Sequence, residues 1–299
     1  MRIAVVGGYG YGLTIFPPRM PEPGETLPGA TFVATPGGKA SNQAVAAARL
    51  GASVSLFTAV GTDAYGQDGR SLWETEGVDA SSVRTVEGAS MVGVIVVEPS
   101  GENRIMLAGG ALDALVVDDL DGFVRSVAAA DVLLISTEIP VAVVAAAVQL
   151  GRDHGVRTIL NPAPVLDFPG EALSSVDFLT PNRSEARQLL DGEAEDSEEH
   201  LALRLHERTG ASVVLTLGSD GAIVVDDDGS PTHVAAERVD TVRDTTGAGD
   251  SFNGALARGL AAGDSLQDAV GLAMRAGAFT VQRIGVIPAL PTRAEVGLK

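Results

Sequence analysis

The chain reads as short apolar runs separated by longer stretches of helical periodicity. Residues 2–7 form an apolar run closed by Gly7-Gly8, which predicts a buried strand. Similar runs near 53–58, 131–135, 157–160, 176–179 and 212–216 predict further strands. Helices are expected at 44–50, closed by Gly51, at 65–76, closed by Gly77, and between the later strands. Two long ones follow, at about 246–262 and 265–282, before a short C-terminal helix. Strands alternating with helices imply an α/β fold: a doubly wound, mostly parallel sheet flanked by helices on both faces.

Two regions interrupt that alternation. Residues 9–36 are rich in Pro and Gly, with strand-like pieces near 11–16 and 29–34. Residues 90–98 and 103–107 alternate in polarity around the hairpin turn Pro99-Ser100-Gly101-Glu102. Neither region continues the βαβ series. A small β-sheet lid is expected from segments about 9–36 and 88–110, over the strand ends where such folds bind ligands. We expect residues 1–299 to be a single α/β domain carrying that lid. A second hairpin is predicted at 222–225 and 232–234, turning at 226–230, and the acidic stretch 192–199 reads as a solvated loop and helix start.

Composition narrows the function. The net charge is −18, which argues against nucleic acid and anionic membranes as partners. A phosphate site would have to be built locally, from backbone N–H groups, metals and a few cations. There is no cysteine, so disulfides and thiolate metal sites are excluded. No apolar run approaches the ~20 residues of a membrane span. The start, Met1 to Val6, reads as a strand and not as a signal peptide, so the cytoplasm is the expected location. Lysine occurs only at Lys39 and Lys299, which singles out Lys39 inside a glycine turn.

The stretch with the most chemistry is Asp244 to Gly254. Gly247-Ala248-Gly249 precedes the apolar run that starts at Ser251, as in a turn entering a helix. Backbone N–H groups there lack intrahelical partners and can converge on an anion, with the helix dipole adding to the attraction. Asp250 sits beside that site, where a carboxylate can take a proton from an alcohol. Phosphoryl transfer to a hydroxyl is the chemistry suggested, with simple helix capping as the alternative. No Walker loop is present, because no Lys follows the glycines.

Other stretches fall after predicted strands. Gly37-Gly38-Lys39-Ala40-Ser41-Asn42 is a glycine turn that brings Lys39 and Asn42 to a cleft. Asn161-Pro162-Ala163-Pro164 is a rigid loop, and Thr216-Leu217-Gly218-Ser219-Asp220-Gly221 could wrap a nucleotide. Asn182 and Glu185, three apart on a helix start, could hold water around Mg²⁺ or form a capping box.

Together these residues resemble the ribokinase (PfkB) family of sugar kinases over nearly the whole chain. Both signature stretches are present, at Gly37 to Gly61 and at Asp244 to Ala257. The resemblance implies that ATP donates its γ-phosphate to a sugar CH₂OH. Asp250 would be the base, with the N–H groups of Gly247, Ala248 and Gly249 as the anion hole. Asn182 and Glu185 would order Mg²⁺ and its waters. Thr216, Gly218, Gly221, Gly249 and Met274 would border ATP, together with Asn182. Gly38, Lys39, Asn42 and Glu138 would contact the sugar. K⁺ would sit at Asp244, Thr246 and the backbone carbonyls of Thr280, Arg283 and Gly285, although Ala289 replaces a Ser that the family uses. The resemblance also points to a homodimer paired through the lid, whose hairpin offers an edge and an alternating face.

The chain departs from ribokinase at the sugar. The family's Asn and Asp after the first strand are here Gly10 and Gly12, and Ala111 stands for a further Asn after the lid hairpin. Three polar contacts are lost and the pocket is expected to gain space there. Strand alternation points Tyr9 and Tyr11 away from that face, so they are not counted as a nucleobase platform. The expected function is an ATP-dependent kinase of a sugar or sugar-like alcohol not optimised for ribose. Alternatives are a nucleoside kinase, or a non-catalytic sugar-binding or regulatory protein on the same scaffold.

Overall fold

The computed structural model describes residues 1–100, 103–191 and 197–298. The lid turn at Gly101-Glu102 and most of the acidic stretch, 192–196, lie outside the described residues. In chain order the elements are β1 (Arg2–Val6), β2 (Gly10–Phe16), β3 (Thr31–Gly37), α1 (Lys39–Arg49), β4 (Ser53–Phe57), β5 (Ala59–Gly61), α2 (Ala64–Glu76), β6 (Val78–Asp79), β7 (Arg84–Val86) and β8 (Met91–Val97). Next come β9 (Asn103–Ala108), α3 (Val124–Ala128), β10 (Val132–Ser136), α4 (Val141–Asp153), β11 (Arg157–Asn161), α5 (Gly170–Leu173), β12 (Phe178–Leu179), α6 (Arg183–Leu189) and α7 (Glu198–Thr209). The chain ends with β13 (Ser212–Thr216), β14 (Ala222–Val225), β15 (Pro231–Val234), α8 (Ala248–Ala261) and α9 (Leu266–Thr280).

The main sheet runs β15-β14-β13-β12-β11-β10-β1-β4-β6. It is parallel except for β14, which is antiparallel to both its neighbours. Alternation along β1 divides the core. Ala4 and Val6 join one apolar cluster, with Val143, Val144 and Leu205; Ile3 and Val5 join the other, with Ala44, Leu256 and Ala273. Helices α4 and α7 therefore cover one face, and α1, α8 and α9 the other. Strand order reverses at β1, between β4 and β10. Such a reversal leaves a crevice beyond the carboxyl ends of the strands, where open α/β sheets bind ligands.

A second sheet, β3-β2-β8-β9, is the lid. Its β2–β8 pair is parallel and its outer pairs are antiparallel. Phe32, Val33, Ile105, Met106 and Leu107 are exposed on its two edge strands.

Four helices differ from the sequence reading. Helix α1 starts at Lys39 and not at 44. Gly38, with φ 87°, enters the helix directly, so the polar residues assigned to a turn form its first turns instead. Ser41, Asn42 and Gln43 are buried there, which breaks the apolar spacing that marks a helix in sequence. The last two helices begin later than expected, because Gly247 takes a left-handed conformation and Ser265 caps α9. The C-terminal helix is only a 3₁₀ turn, Ala294–Val296.

Candidate active site

The crevice collects the ends of six elements. Lys39 opens α1, Glu138 follows β10, Asn161 ends β11, Asn182 follows β12, Thr216 ends β13, and Asp250 lies in the first turn of α8. The strands put all of these at one edge because they are parallel, and the helices return their N-termini to it.

Asp250 is held between two amides. Asn42 Nδ2 donates to its Oδ2 at 2.8 Å, and Gln43 Nε2 donates to its Oδ1 at 3.2 Å. Burial pushes the Asp250 carboxyl up to about 6, against the opposing pull of the Asn42 amide, the Lys39 ammonium and the Gln43 amide. A carboxylate tuned to that range is matched to general-base work near neutral pH. Asn42 Oδ1 is buried without a protein partner, and an oxygen in that state is suited to a ligand hydroxyl.

Lys39 and Glu138 form the adjoining charged pair. Lys39 Nζ lies 2.9 Å from Glu138 Oε1, and the Lys39 backbone N–H donates to Oε2 at 2.6 Å. Burial alone would depress the Lys39 ammonium. The carboxylates of Glu138, Asp250 and Glu185 outweigh it and hold the ammonium above the usual lysine value.

A hydrogen-bond circuit ties Asp250 back to its own helix. Gln43 Nε2 also donates to Asn161 Oδ1 at 3.0 Å, and Asn161 Nδ2 donates to the Thr180 carbonyl at 3.1 Å. Thr180 Oγ1 donates to Asn253 Oδ1 at 2.7 Å, and Asn253 Nδ2 to the Gly249 carbonyl at 2.9 Å. Gln43, Asn161, Thr180 and Asn253 are all buried. Sequence reasoning missed Gln43, Thr180 and Asn253 as parts of the site. The available signal was polar residues inside apolar helical and strand runs.

The turn into α8 has the form expected of an anion site. Gly247 has φ 81°, and a Cβ there would lie 2.6 Å from Val286 Cγ1, so glycine is required. Gly249 is exposed, with open space where a side chain would be. The Ala248 N–H is already drawn to the Thr245 carbonyl, at a long 3.3 Å.

Asp244 anchors the neighbouring loop. Its Oδ1 accepts from the Thr246 N–H at 2.9 Å and its Oδ2 from the Gly285 N–H at 3.0 Å. Burial raises its carboxyl, but those hydrogen bonds, Thr246 first, outweigh burial and hold it below the usual range. The Arg243 N–H bonds the Val281 carbonyl at 2.8 Å and ties the two loops together, while the Arg283 N–H bonds that of Thr280 at 3.1 Å and closes the turn after α9. An ionised carboxylate beside a turn of backbone carbonyls is a donor set that fits a hard monovalent cation.

Asn182 and Glu185 form a reciprocal capping box. Asn182 Oδ1 accepts from the Glu185 N–H at 2.9 Å and Glu185 Oε2 from the Asn182 N–H at 2.8 Å. One carboxylate oxygen of Glu185 is outside that box, and burial raises its carboxyl. Bringing a divalent cation near would relieve that cost, so the pair fits a water-mediated Mg²⁺. Thr216 bridges Asn182 in parallel register. Gly218 and Gly221 have φ of 64° and 91°, and a Cβ on Gly221 would lie 2.1 Å from the Val234 carbonyl. Arg183 Nη2 reaches Asp220 at 2.6 Å and pins that turn to α6. Met274, half-buried, borders the same apolar cluster as Val234.

The acceptor end differs from expectation. Tyr9 and Tyr11 do point away from the Gly10 face: Tyr9 donates to the Tyr65 carbonyl at 2.6 Å, and Tyr11 stacks on Tyr65 at 4.2 Å between ring centroids. The space expected at Gly10 is absent, because Met91 Cε would lie 2.2 Å from a Cβ there. At Gly12 the space is real, with nothing nearer than the Thr35 carbonyl at 3.8 Å.

The fold and this edge define a class: an α/β protein with a half-buried carboxylate in the first turn of a glycine-led helix, at the carboxyl ends of a mostly parallel sheet. The sequence pattern of the pfkB family carbohydrate kinases matches residues 2–293, and the chain belongs to that family. It is 35% identical to a ribokinase of Haemophilus influenzae, over 98% of this chain and 96% of that protein. It is 32% identical to a deoxyribokinase of Salmonella typhi, over 98% of this chain and 96% of that protein. The crystal structure of a ribokinase from Thermotoga maritima superposes with a TM-score of 0.90 at 28% identity, covering 99% and 98% of the two chains. The chain is thus an ATP-dependent carbohydrate kinase. Among the described residues no helix is long and apolar enough to cross a membrane.

Proposed function

We propose that this kinase phosphorylates the hydroxymethyl group of a sugar or sugar-like alcohol, with Asp250 as the base, and that ribose is not its best acceptor. The observation carrying the reading is Asp250 itself, held by Asn42 and Gln43 at the start of α8 with its carboxyl near 6. Lys39, Glu138 and the free Asn42 oxygen orient the acceptor hydroxyls. Asp250 takes the proton of the attacking hydroxyl. The N–H groups of Gly247, Ala248 and Gly249 meet the charge on the transferring phosphoryl group, where a helix N-terminus is favourable for an anion. Thr216, Gly218, Gly221 and Met274 border the nucleotide. Asn182 and Glu185 hold Mg²⁺ through water, and the ion supplies charge neutralisation and orientation to the phosphates. Asp244 and Thr246, with the carbonyls of Thr280, Arg283 and Gly285, hold K⁺ beside the helix start. The cytoplasm, which supplies ATP and K⁺, is its place.

The substrate reading rests on Gly10, Gly12 and Ala111, none of which offers a side-chain hydrogen bond. The test is product formation from ATP and Mg²⁺ over a panel of pentoses, hexoses, sugar acids and nucleosides. At least one acceptor should exceed ribose in kcat/KM. Ribose as the best acceptor, above ~10⁴ M⁻¹s⁻¹, would overturn the substrate reading. No transfer to any acceptor would overturn the kinase chemistry assigned to Asp250.

The same reading includes a homodimer through the lid. Exposed Ile105, Met106 and Leu107 on β9 and Phe32 and Val33 on β3 leave both edges of that sheet apolar. Light scattering at micromolar concentration should give twice the chain mass, and a monomer would contradict it.

A further inference from the structure

The Gly10 end of the pocket is closed by a thioether. Gly10 pairs in register with Met91 on the neighbouring strand. A Cβ on Gly10 would lie 2.2 Å from Met91 Cε and 2.9 Å from the Met91 carbonyl oxygen. The terminal methyl of Met91 therefore occupies the volume that a side chain at position 10 would use. Met91 is 7% exposed and shares an apolar cluster with Ala111 and Ile139. Ile139 follows Glu138 in the chain.

Contacts of the backbone place that methyl beside the polar end. A Cβ on Gly8 would lie 2.6 Å from Glu138 Oε2, and one on Gly38 would lie 2.8 Å from the Gly10 nitrogen. Glu138, the Gly38-Lys39 turn and Gly10 are thus contiguous. Two pairs further along, Gly12 faces Gly93, and the first side chains met are Thr35 Oγ1 at 3.9 Å and Ile95 Cδ1 at 4.0 Å. Two of the three positions that lost polar side chains, Gly10 and Ala111, therefore border or share a cluster with one methionine.

We infer that Met91 is a specificity-determining residue of this pocket, and that the preferred acceptor presents a carbon bearing no hydroxyl to it. This rests on the kinase reading above and names the substrate class of the same site. A hydroxyl pressed against the Met91 methyl loses water and gains no partner, while a deoxy carbon loses nothing. Lys39, Glu138 and Asn42 hold the remaining hydroxyls and keep the reacting CH₂OH at Asp250. A wall of this kind discriminates modestly, because an apolar pocket rejects one added hydroxyl by roughly a hundredfold at most.

The experiment compares kcat/KM for ribose and 2-deoxyribose with the same enzyme, ATP and Mg²⁺. The wild type should favour 2-deoxyribose by roughly tenfold to a hundredfold. Met91→Gln, similar in length but able to donate and accept, should cut that preference at least severalfold by lowering KM for ribose. Met91→Leu should keep it, and a melting temperature for each variant confirms that it is folded. A wild type that favours ribose overturns the inference, as does an unchanged ratio in folded Met91→Gln. Transfer to neither sugar by an enzyme active on another acceptor overturns it too. Loss of transfer to every acceptor overturns the kinase reading, and this inference with it.

Discussion

The two ends of the crevice are built from opposite materials. Around Asp250 the structure places four amides and hydroxyls in a closed circuit, every link between 2.7 and 3.2 Å. Against the open side of Gly10 it places the Met91 side chain, and Ala111 shares the apolar cluster of that methionine, with the Lys39–Glu138 pair on the flank. The first end fixes one reacting geometry, because a buried polar network is stable only when nearly all its members are satisfied. The second imposes shape and little else. Reaction type is therefore read from the helix end, and substrate identity from the lid end.

The sharpest way to break the comparison is Asp250→Asn, which should lower kcat by roughly 10²–10⁴, the usual range for loss of a general base. The same change tests the price of the tuned carboxyl. Its value is raised in the fold, so its protonated form is favoured there. That contribution is complete below the unfolded carboxylate value and lost as pH rises through about 6. At pH 8 the wild type carries the cost of a half-buried charge, and Asp250→Asn should melt higher. At pH 4 the difference should shrink. Near-wild-type turnover, or a lower melting temperature at pH 8, would count against the assignment.

A smaller effect is expected from the cation. Replacing K⁺ by tetramethylammonium should slow turnover about two- to tenfold, the reach of one charge acting at a helix N-terminus. Equal rates in the two salts would remove K⁺ from the Asp244 loop and leave that carboxylate a purely structural anchor for Thr246 and Gly285.

These contrasts explain what the sequence shows. The main sheet was legible because its strands are continuous apolar runs and its helices keep an amphipathic spacing. Asp250, Lys39 and Asn42 stand in motifs whose glycines mark the turns that position them, Glu138 was named through the family resemblance alone, and the structure brings the four together. Gln43 was not legible: beside Asn42 in a helix, it points elsewhere by periodicity, and its partner Asn161 is 118 residues away. Met91 was equally hidden. Nothing local marks a methionine as the filler of a glycine's missing side chain on another strand, and only the register of β2 with β8 joins them.

The smallest predicted effect concerns Gln43, and it decides whether the circuit serves catalysis or only packing. Asp250 must be ionised to act as a base, so kcat/KM should fall on the acid side of a limb near pH 6. The charged groups facing it are Lys39, which lowers that limb, and Glu138, which raises it. Asn42 and Gln43 donate to the carboxylate and favour its charged form, so both hold the limb down. Gln43→Met keeps the length of the side chain and removes the donor. The acid limb should then move to higher pH, with turnover above pH 8 changed little. Asn161 Oδ1 would be left buried without the Gln43 amide, at a stability cost of about 1–3 kcal/mol. A merely structural Gln43 would give that loss of stability with the limb unmoved. A limb that shifts upward while the high-pH plateau survives ties the buried amide on α1 to the protonation of the base on α8.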